Sequence, residues 1–128
     1  MNILGIGTEI VECLRIAKLI EQHAEQFLTH AFTSREISFC QSCSHATQHF
    51  AGIWAGKQAV LKGLGVRWRK PLAWSDLEIR RSAKTGYRVL SRGGMREIIE
   101  QREPGEIFLT LAHCRTHATA TAVILARE

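Results

Sequence analysis

Three short stretches carry side chains suited to chemistry. GIGTEIVE places Glu9 and Glu12 directly after an apolar run. WAGKQAVLKGLG carries Lys57, Gln58 and Lys62 in a helical pattern, and Gln58 and Lys62 stand four apart, on one face. LTLAHCRTHATA puts His113 at the end of an apolar strand pattern. A carboxylate for a divalent ion, a lysine for phosphate oxygens and a histidine nearby form a phosphoryl-transfer set. Each residue also has a plainer reading. A carboxylate at a strand end or two lysines on a helix commonly face water, and a single histidine is commonly structural.

A fourth cluster is CQSCSHATQH, with Cys40, Cys43, His45 and His49. These are soft ligands of the kind zinc takes. Zinc sites usually have a longer loop between their two ligand pairs, so that the ligands can surround the ion. The alternative is a helix end and turn that are rich in Cys and His.

The remaining composition narrows the class. A chain of 128 residues fits one domain, expected over 1–128, with a core of its own. No apolar run approaches a membrane span, and the start lacks the basic region and cleavage site of a signal peptide. A cytoplasmic setting is expected, with Cys13, Cys40, Cys43 and Cys114 as reduced thiols. The net charge of +5 suits an acidic partner. The basic residues are scattered and carry no nucleic-acid-binding signature, so neither a nucleic acid nor a membrane is the expected partner.

The elements that must position these groups follow from periodicity. ILGIGTEIV, with β-branched residues and glycines, predicts a strand. Leu14, Ala17, Ile20, Ala24 and Phe27 fall near helical spacing, which leaves Arg15 and Lys18 on the outer side. Thr33 or Ser34 with Glu36 predicts a capped short helix. Residues 45–65 form the longest helical pattern, with Phe50, Ile53, Trp54, Val60, Leu61 and Leu64 inward and Gly63 or Gly65 as the stop. WSDLEIRR and YRVLS predict two strands around a turn at Lys84, Thr85 and Gly86. GGMREIIEQREPG predicts a helix closed by Pro104 and Gly105. The last apolar stretch predicts two strands joined near Arg115 and Thr116. This order predicts an α+β fold, an antiparallel sheet with one long central helix and shorter ones.

With these stretches in place, the chain resembles the holo-acyl-carrier-protein synthases, the small 4′-phosphopantetheinyl transferases. The family pattern G-I-G-x-D-I-V-E-x-x-R-I is GIGTEIVECLRI here, F-A-x-K-E-A-x-x-K-A-x-G is WAGKQAVLKGLG, and S-x-S-H before an apolar strand is TLAH. The three stretches keep their order and spacing along essentially the whole chain. The resemblance implies transfer of 4′-phosphopantetheine from coenzyme A to a serine of apo-acyl carrier protein, with Mg2+ as cofactor. It also implies a homotrimer with active sites between subunits. It assigns Glu9, Lys62 and His113 to catalysis, and Lys57, Lys62, Gly65 and His113 to coenzyme A. Glu9 and Gln58 become metal ligands, Arg15 and Lys18 the carrier-binding surface, and Glu12 a support for site or fold.

Four positions depart from the pattern. Glu9 replaces aspartate, Gln58 replaces the second acidic ligand, Ile53 replaces an arginine and Ala112 replaces a serine. An amide oxygen is neutral and a poorer ligand for magnesium than a carboxylate. Either metal and substrate handling are retuned, or the chain is an inactive homologue that binds coenzyme A or a carrier protein.

Overall fold

A computed structural model describes residues 2–84 and 86–128. Thr85, in the middle of the expected Lys84–Gly86 turn, lies outside the described residues. Strand β1 (Ile3–Glu12) leads into helices α1 (Cys13–His23), α2 (Glu25–Ala31), α3 (Ser34–Gln41) and α4 (Ala46–Leu64). A single 3-10 turn at Trp74–Asp76 precedes strands β2 (Leu77–Ser82) and β3 (Gly86–Ser91). Helix α5 (Gly93–Gln101), β4 (Pro104–His113) and β5 (His117–Ala126) complete the order. The predicted α+β class and its elements are present.

The strands form an antiparallel sheet in the order β1-β5-β4 and a separate hairpin of β2 and β3. Helix α4 lies across the inner face of the larger sheet. Small residues on that face let it come close. A Cβ on Gly7 would sit 1.9 Å from the Ala59 carbonyl oxygen, and one on Gly63 would sit 2.2 Å from Ile124 Cδ1. Ala118, Ala120 and Ala122 alternate on β5 and are buried beneath the helix. The GIG stretch is therefore a packing device, and it sets Glu9 beside α4.

The outer sheet face is open and partly apolar. Ile6 pairs with Val123, which pairs with Phe108, so these three make one row across the sheet. Ile6 and Ile10 are 60% and 62% exposed, far more than a core strand would leave in water.

Three local features differ from the sequence-based expectation. The first helix breaks at Ala24, whose φ of 44° is unusual for a residue with a side chain, and a new helix starts at Glu25. No glycine or proline marks that break. Glu103 turns the chain after α5 with a φ of 49°, and Pro104 opens β4 instead of closing the helix. β4 is an edge strand, where a first-position proline costs no ladder bond. Trp74–Asp76 are a turn, so the strand expected from Trp74 begins at Leu77.

Thr33 caps α3 as expected. Its hydroxyl accepts from the Glu36 amide, and Glu36 Oε1 accepts from the Thr33 amide at 2.9 Å. Among the described residues no helix is long and apolar enough to cross a membrane.

Candidate active site

Glu9 lies on β1 with Gly7 and Val11, on the face turned to α4. On that helix Trp54, Gln58 and Lys62 recur every fourth residue and meet it. Lys62 Nζ lies 2.9 Å from Glu9 Oε2 and also donates to the Thr8 carbonyl at 3.3 Å. Glu9 Oε1 accepts from the Ile10 amide at 3.2 Å. The Gln58 amide is satisfied in one orientation. Its nitrogen donates to Glu9 Oε2 at 2.9 Å, and its oxygen accepts from Trp54 Nε1 at 2.6 Å. Glu9, Trp54 and Gln58 line a cavity of about 400 Å³, with Arg15 at its edge.

Strand β1 runs unbroken through position 12, so alternation sets Glu12 on the opposite face from Glu9 and leaves it exposed, yet at the strand end it lines the same cavity. It stands at the N-cap of α1 without making a side-chain cap bond.

Gln58 stands beside Glu9, with its amide within hydrogen-bond distance of Glu9 Oε2 on one side and of the Trp54 indole on the other. Glu9 and Glu12 are the carboxylates that line this cavity. Magnesium is commonly held by one or two carboxylates, substrate phosphates and several waters. Glu9, with Glu12 at the same cavity, fits that range.

His113 ends β4 on a different side of α4. Its Nδ1 donates to Gln48 Oε1 at 2.9 Å. The His49 ring lies 4.7 Å away. Burial, followed by His113 and Arg81, holds the His49 pKa below its ordinary value. His113 lines a cavity of about 540 Å³ together with Arg35, His49, Arg81 and Tyr87. Ile53 and Ala112 line the same cavity, so two of the four departures face one space. Within one chain, Glu9 and His113 thus line separate cavities.

The role of Lys57 in coenzyme A binding is also corrected. Lys57 is 0% exposed. Its ammonium reaches Glu36 Oε1 at 2.8 Å, the Ala31 carbonyl at 2.8 Å and the Trp74 carbonyl at 3.0 Å. An ammonium has three donors, and all three are used. Burial is the first cause acting on both partners. It pushes Glu36 up and Lys57 down, and their mutual attraction opposes it.

Gly65 takes the left-handed conformation that ends α4, with φ of 70°, and its carbonyl accepts from Arg102 Nη2 at 3.1 Å. Arg15 and Lys18 lie exposed on α1. Cys40 is fully buried and its thiol is pushed up to about 12 by burial, while Cys43 donates to the Phe39 carbonyl. Among the described residues, no group of three or more His, Cys, Asp or Glu is arranged to hold a metal.

Arg35 and Arg81 enter the His113 cavity without having been singled out from the sequence, where His49 was named only in the Cys/His cluster and Trp54 only among the inward residues of the long helix. Trp54 had a readable signal, since it is four residues before Gln58 on the same helix face. Arg35 and Arg81 had none, because α3 and β2 meet only in the folded chain.

These features define a class. The model of the 4′-phosphopantetheinyl transferase superfamily matches residues 5–122, and the chain belongs to that family. A holo-[acyl-carrier-protein] synthase of Rhodopirellula baltica is 43% identical over 124 residues, 97% of this chain and 98% of the relative. One from Chlamydia caviae is 36% identical over 125 residues, 98% of this chain and 99% of the relative. Solved structures share the fold. The Helicobacter pylori synthase in complex with coenzyme A gives a TM-score of 0.79 at 26% identity, covering 93% of this chain and 98% of that one. The Neisseria meningitidis synthase gives 0.84 at 21% identity, covering 95% and 98%.

Proposed function

We propose that the chain, acting as one domain over 1–128, transfers 4′-phosphopantetheine from coenzyme A to a serine of apo-acyl carrier protein. The observation that carries this reading is the Glu9–Lys62 pair, placed at a cavity edged by basic Arg15. The serine oxygen attacks the β-phosphate of coenzyme A, the bond from that phosphorus to the oxygen leading to 3′,5′-ADP breaks, and 3′,5′-ADP leaves. Lys62, whose side chain is 55% exposed, can turn its ammonium from Glu9 to the diphosphate. Glu9 would hold the cation, and Mg2+ bound there would supply positive charge to offset that of the diphosphate. His113, at the end of β4, and Gly65, at the end of α4, serve coenzyme A. Arg35 and Arg81 supply positive charge in the cavity where Ile53 replaces an arginine. The test is release of 3′,5′-ADP from coenzyme A. It should require both magnesium and the apo-carrier.

A second reading, a homologue that binds coenzyme A or a carrier without transfer, draws support from the amide at position 58. It predicts coenzyme A binding with no 3′,5′-ADP release.

Assembly belongs to the same proposal. One chain keeps Glu9 and His113 in separate cavities and leaves Ile6 and Phe108 exposed on either side of the half-buried Val123. A cyclic trimer would cover that apolar row, including Val123 of the AVILA stretch, and form sites between subunits. Light scattering should give three times the chain mass at working concentration. A monomer would sink the shared-site model.

Arg15 and Lys18 form the proposed docking face for the acidic carrier, in a cytoplasmic setting. Arg15→Glu should weaken carrier binding more than coenzyme A binding, with the difference shrinking as salt is raised. Equal effects on both ligands, measured by titration calorimetry, would remove Arg15 from the docking face.

A further inference from the structure

We propose that His49 and His113 act as one imidazole pair that takes up protons from solvent when an anionic group of coenzyme A enters their cavity. His49 thereby sets how steeply binding depends on pH. This rests on the transferase reading for its ligand. His49 itself lies outside the stretches that match the family pattern.

Three elements build the pair. His49 on α4 meets His113 at the end of β4, with ring centroids 4.7 Å apart and planes inclined at 65°. Phe39 of α3 meets the His49 ring edge-on at 5.7 Å. Gln48 Oε1 accepts from His113 Nδ1 at 2.9 Å. Each ring thus has a second partner that keeps it near the other. Both line the cavity of about 540 Å³.

Cations dominate the groups that face the pair. Helix α3 supplies Arg35 and Glu36, β2 supplies Arg80 and Arg81, and β3 supplies Tyr87. His45, at the start of α4, and Arg81 both act on His49. Glu36 is spent on the buried Lys57. Glu78 is spent on Arg80 and also attracts Arg35. Among the described residues Arg35 and Arg81 form no close ion pair. The cavity is left with a surplus of positive charge.

Two imidazolium rings at this separation repel, so the pair holds its second proton only at a lower pH than its first. Burial, followed by His113, Arg81 and His45, holds His49 below its ordinary pKa. An anion among Arg35, Arg81 and the rings reverses this balance, because it favours each protonated ring. Binding therefore draws protons in, and protonation strengthens binding by the same factor. Anion affinity is greatest at acid pH and falls as pH rises through the range where the occupied pair gives up its protons. With one ring in place of two, the fall is shallower.

The test follows the ring C–H signals of His49 and His113 by NMR as pH is raised at constant ionic strength. It uses the full chain, free and with saturating sulfate or coenzyme A. Sulfate has no group that titrates near neutrality, so any proton taken up belongs to the protein. Each anion should move the His49 midpoint up by about one unit, a shift that nearby charge commonly causes. One unit on each of two rings multiplies to about a hundredfold in affinity, against about tenfold for one ring. Sulfate affinity should therefore fall by more than about tenfold from about pH 5 to about pH 8 in wild type, and by at most about tenfold in His49→Phe. His49→Gln, polar but without a titrating group, should repeat the shallower profile, and thermal melts confirm which variants fold. His113→Gln should raise the His49 midpoint in the free chain, because a repelling ring is gone. A folded His49→Phe or His49→Gln with the wild-type pH profile would overturn the inference. So would a His49 signal that neither sulfate nor coenzyme A moves. If sulfate moves both rings while coenzyme A binds at no pH, the proton-sharing pair stands and the result counts against the transferase reading instead.

Discussion

Glu9→Gln is expected to lower transfer by about two to three orders of magnitude, the scale seen when one charge-stabilising group is removed from a polar reaction site. The reason is the lack of an equal substitute. Gln58 offers only a neutral amide. Glu12 lines the same cavity but stands on the alternate face of β1. The variant also breaks the ion pair with Lys62, which then has only the Thr8 carbonyl. Stability should change little, because Lys62 is largely in solvent and exposed ion pairs contribute at most about 1 kcal/mol. Steady-state assays at several magnesium concentrations, alongside thermal melts, separate the two effects. Glu9→Asp, which keeps the charge, should retain most activity. An active, folded Glu9→Gln would remove Glu9 from catalysis.

The second large effect concerns folding. Lys57→Met should destabilise the chain by about 3–5 kcal/mol, the cost of leaving one member of a buried ion pair alone. Glu36 would lose its counter-charge, and the Ala31 and Trp74 carbonyls would lose their donor. Burial already pushes the Glu36 pKa up, so its remaining stabilisation comes from the Thr33 and Ile79 amides. The melting temperature should fall by roughly 10–20 °C for a chain of this size. Glu36→Gln combined with Lys57→Met should recover part of the loss, since neither charge is then stranded. Loss of coenzyme A affinity at unchanged stability would return Lys57 to the phosphate site.

These two lysines show where sequence reading succeeded and where it stopped. Both lie on α4 and both match the family pattern. Helical spacing placed Lys62 with Gln58, and the structure sets both beside Glu9. The same spacing turned Lys57 to the other side, where its partner comes from α3. Thr33 and Glu36 were readable as a cap because capping is local. The second task of Glu36, holding Lys57, depends on how α3 packs on α4. The helix break at Ala24 was not readable, since no glycine or proline marks it. The surroundings of Gln58 were half readable. Trp54 stands one turn away, but only the folded geometry sets its indole N–H within reach of the amide.

The most direct measurement is the intact mass of an apo-acyl carrier protein after incubation with the chain, coenzyme A and magnesium. Transfer predicts a carrier heavier by one 4′-phosphopantetheine, release of 3′,5′-ADP in equal amount, and no change in a carrier whose acceptor serine is alanine. A carrier of unchanged mass at every magnesium concentration, and with Gln58→Glu as well, would contradict the transferase reading. Coenzyme A binding retained in that same mixture would leave the binding protein as the function of the fold.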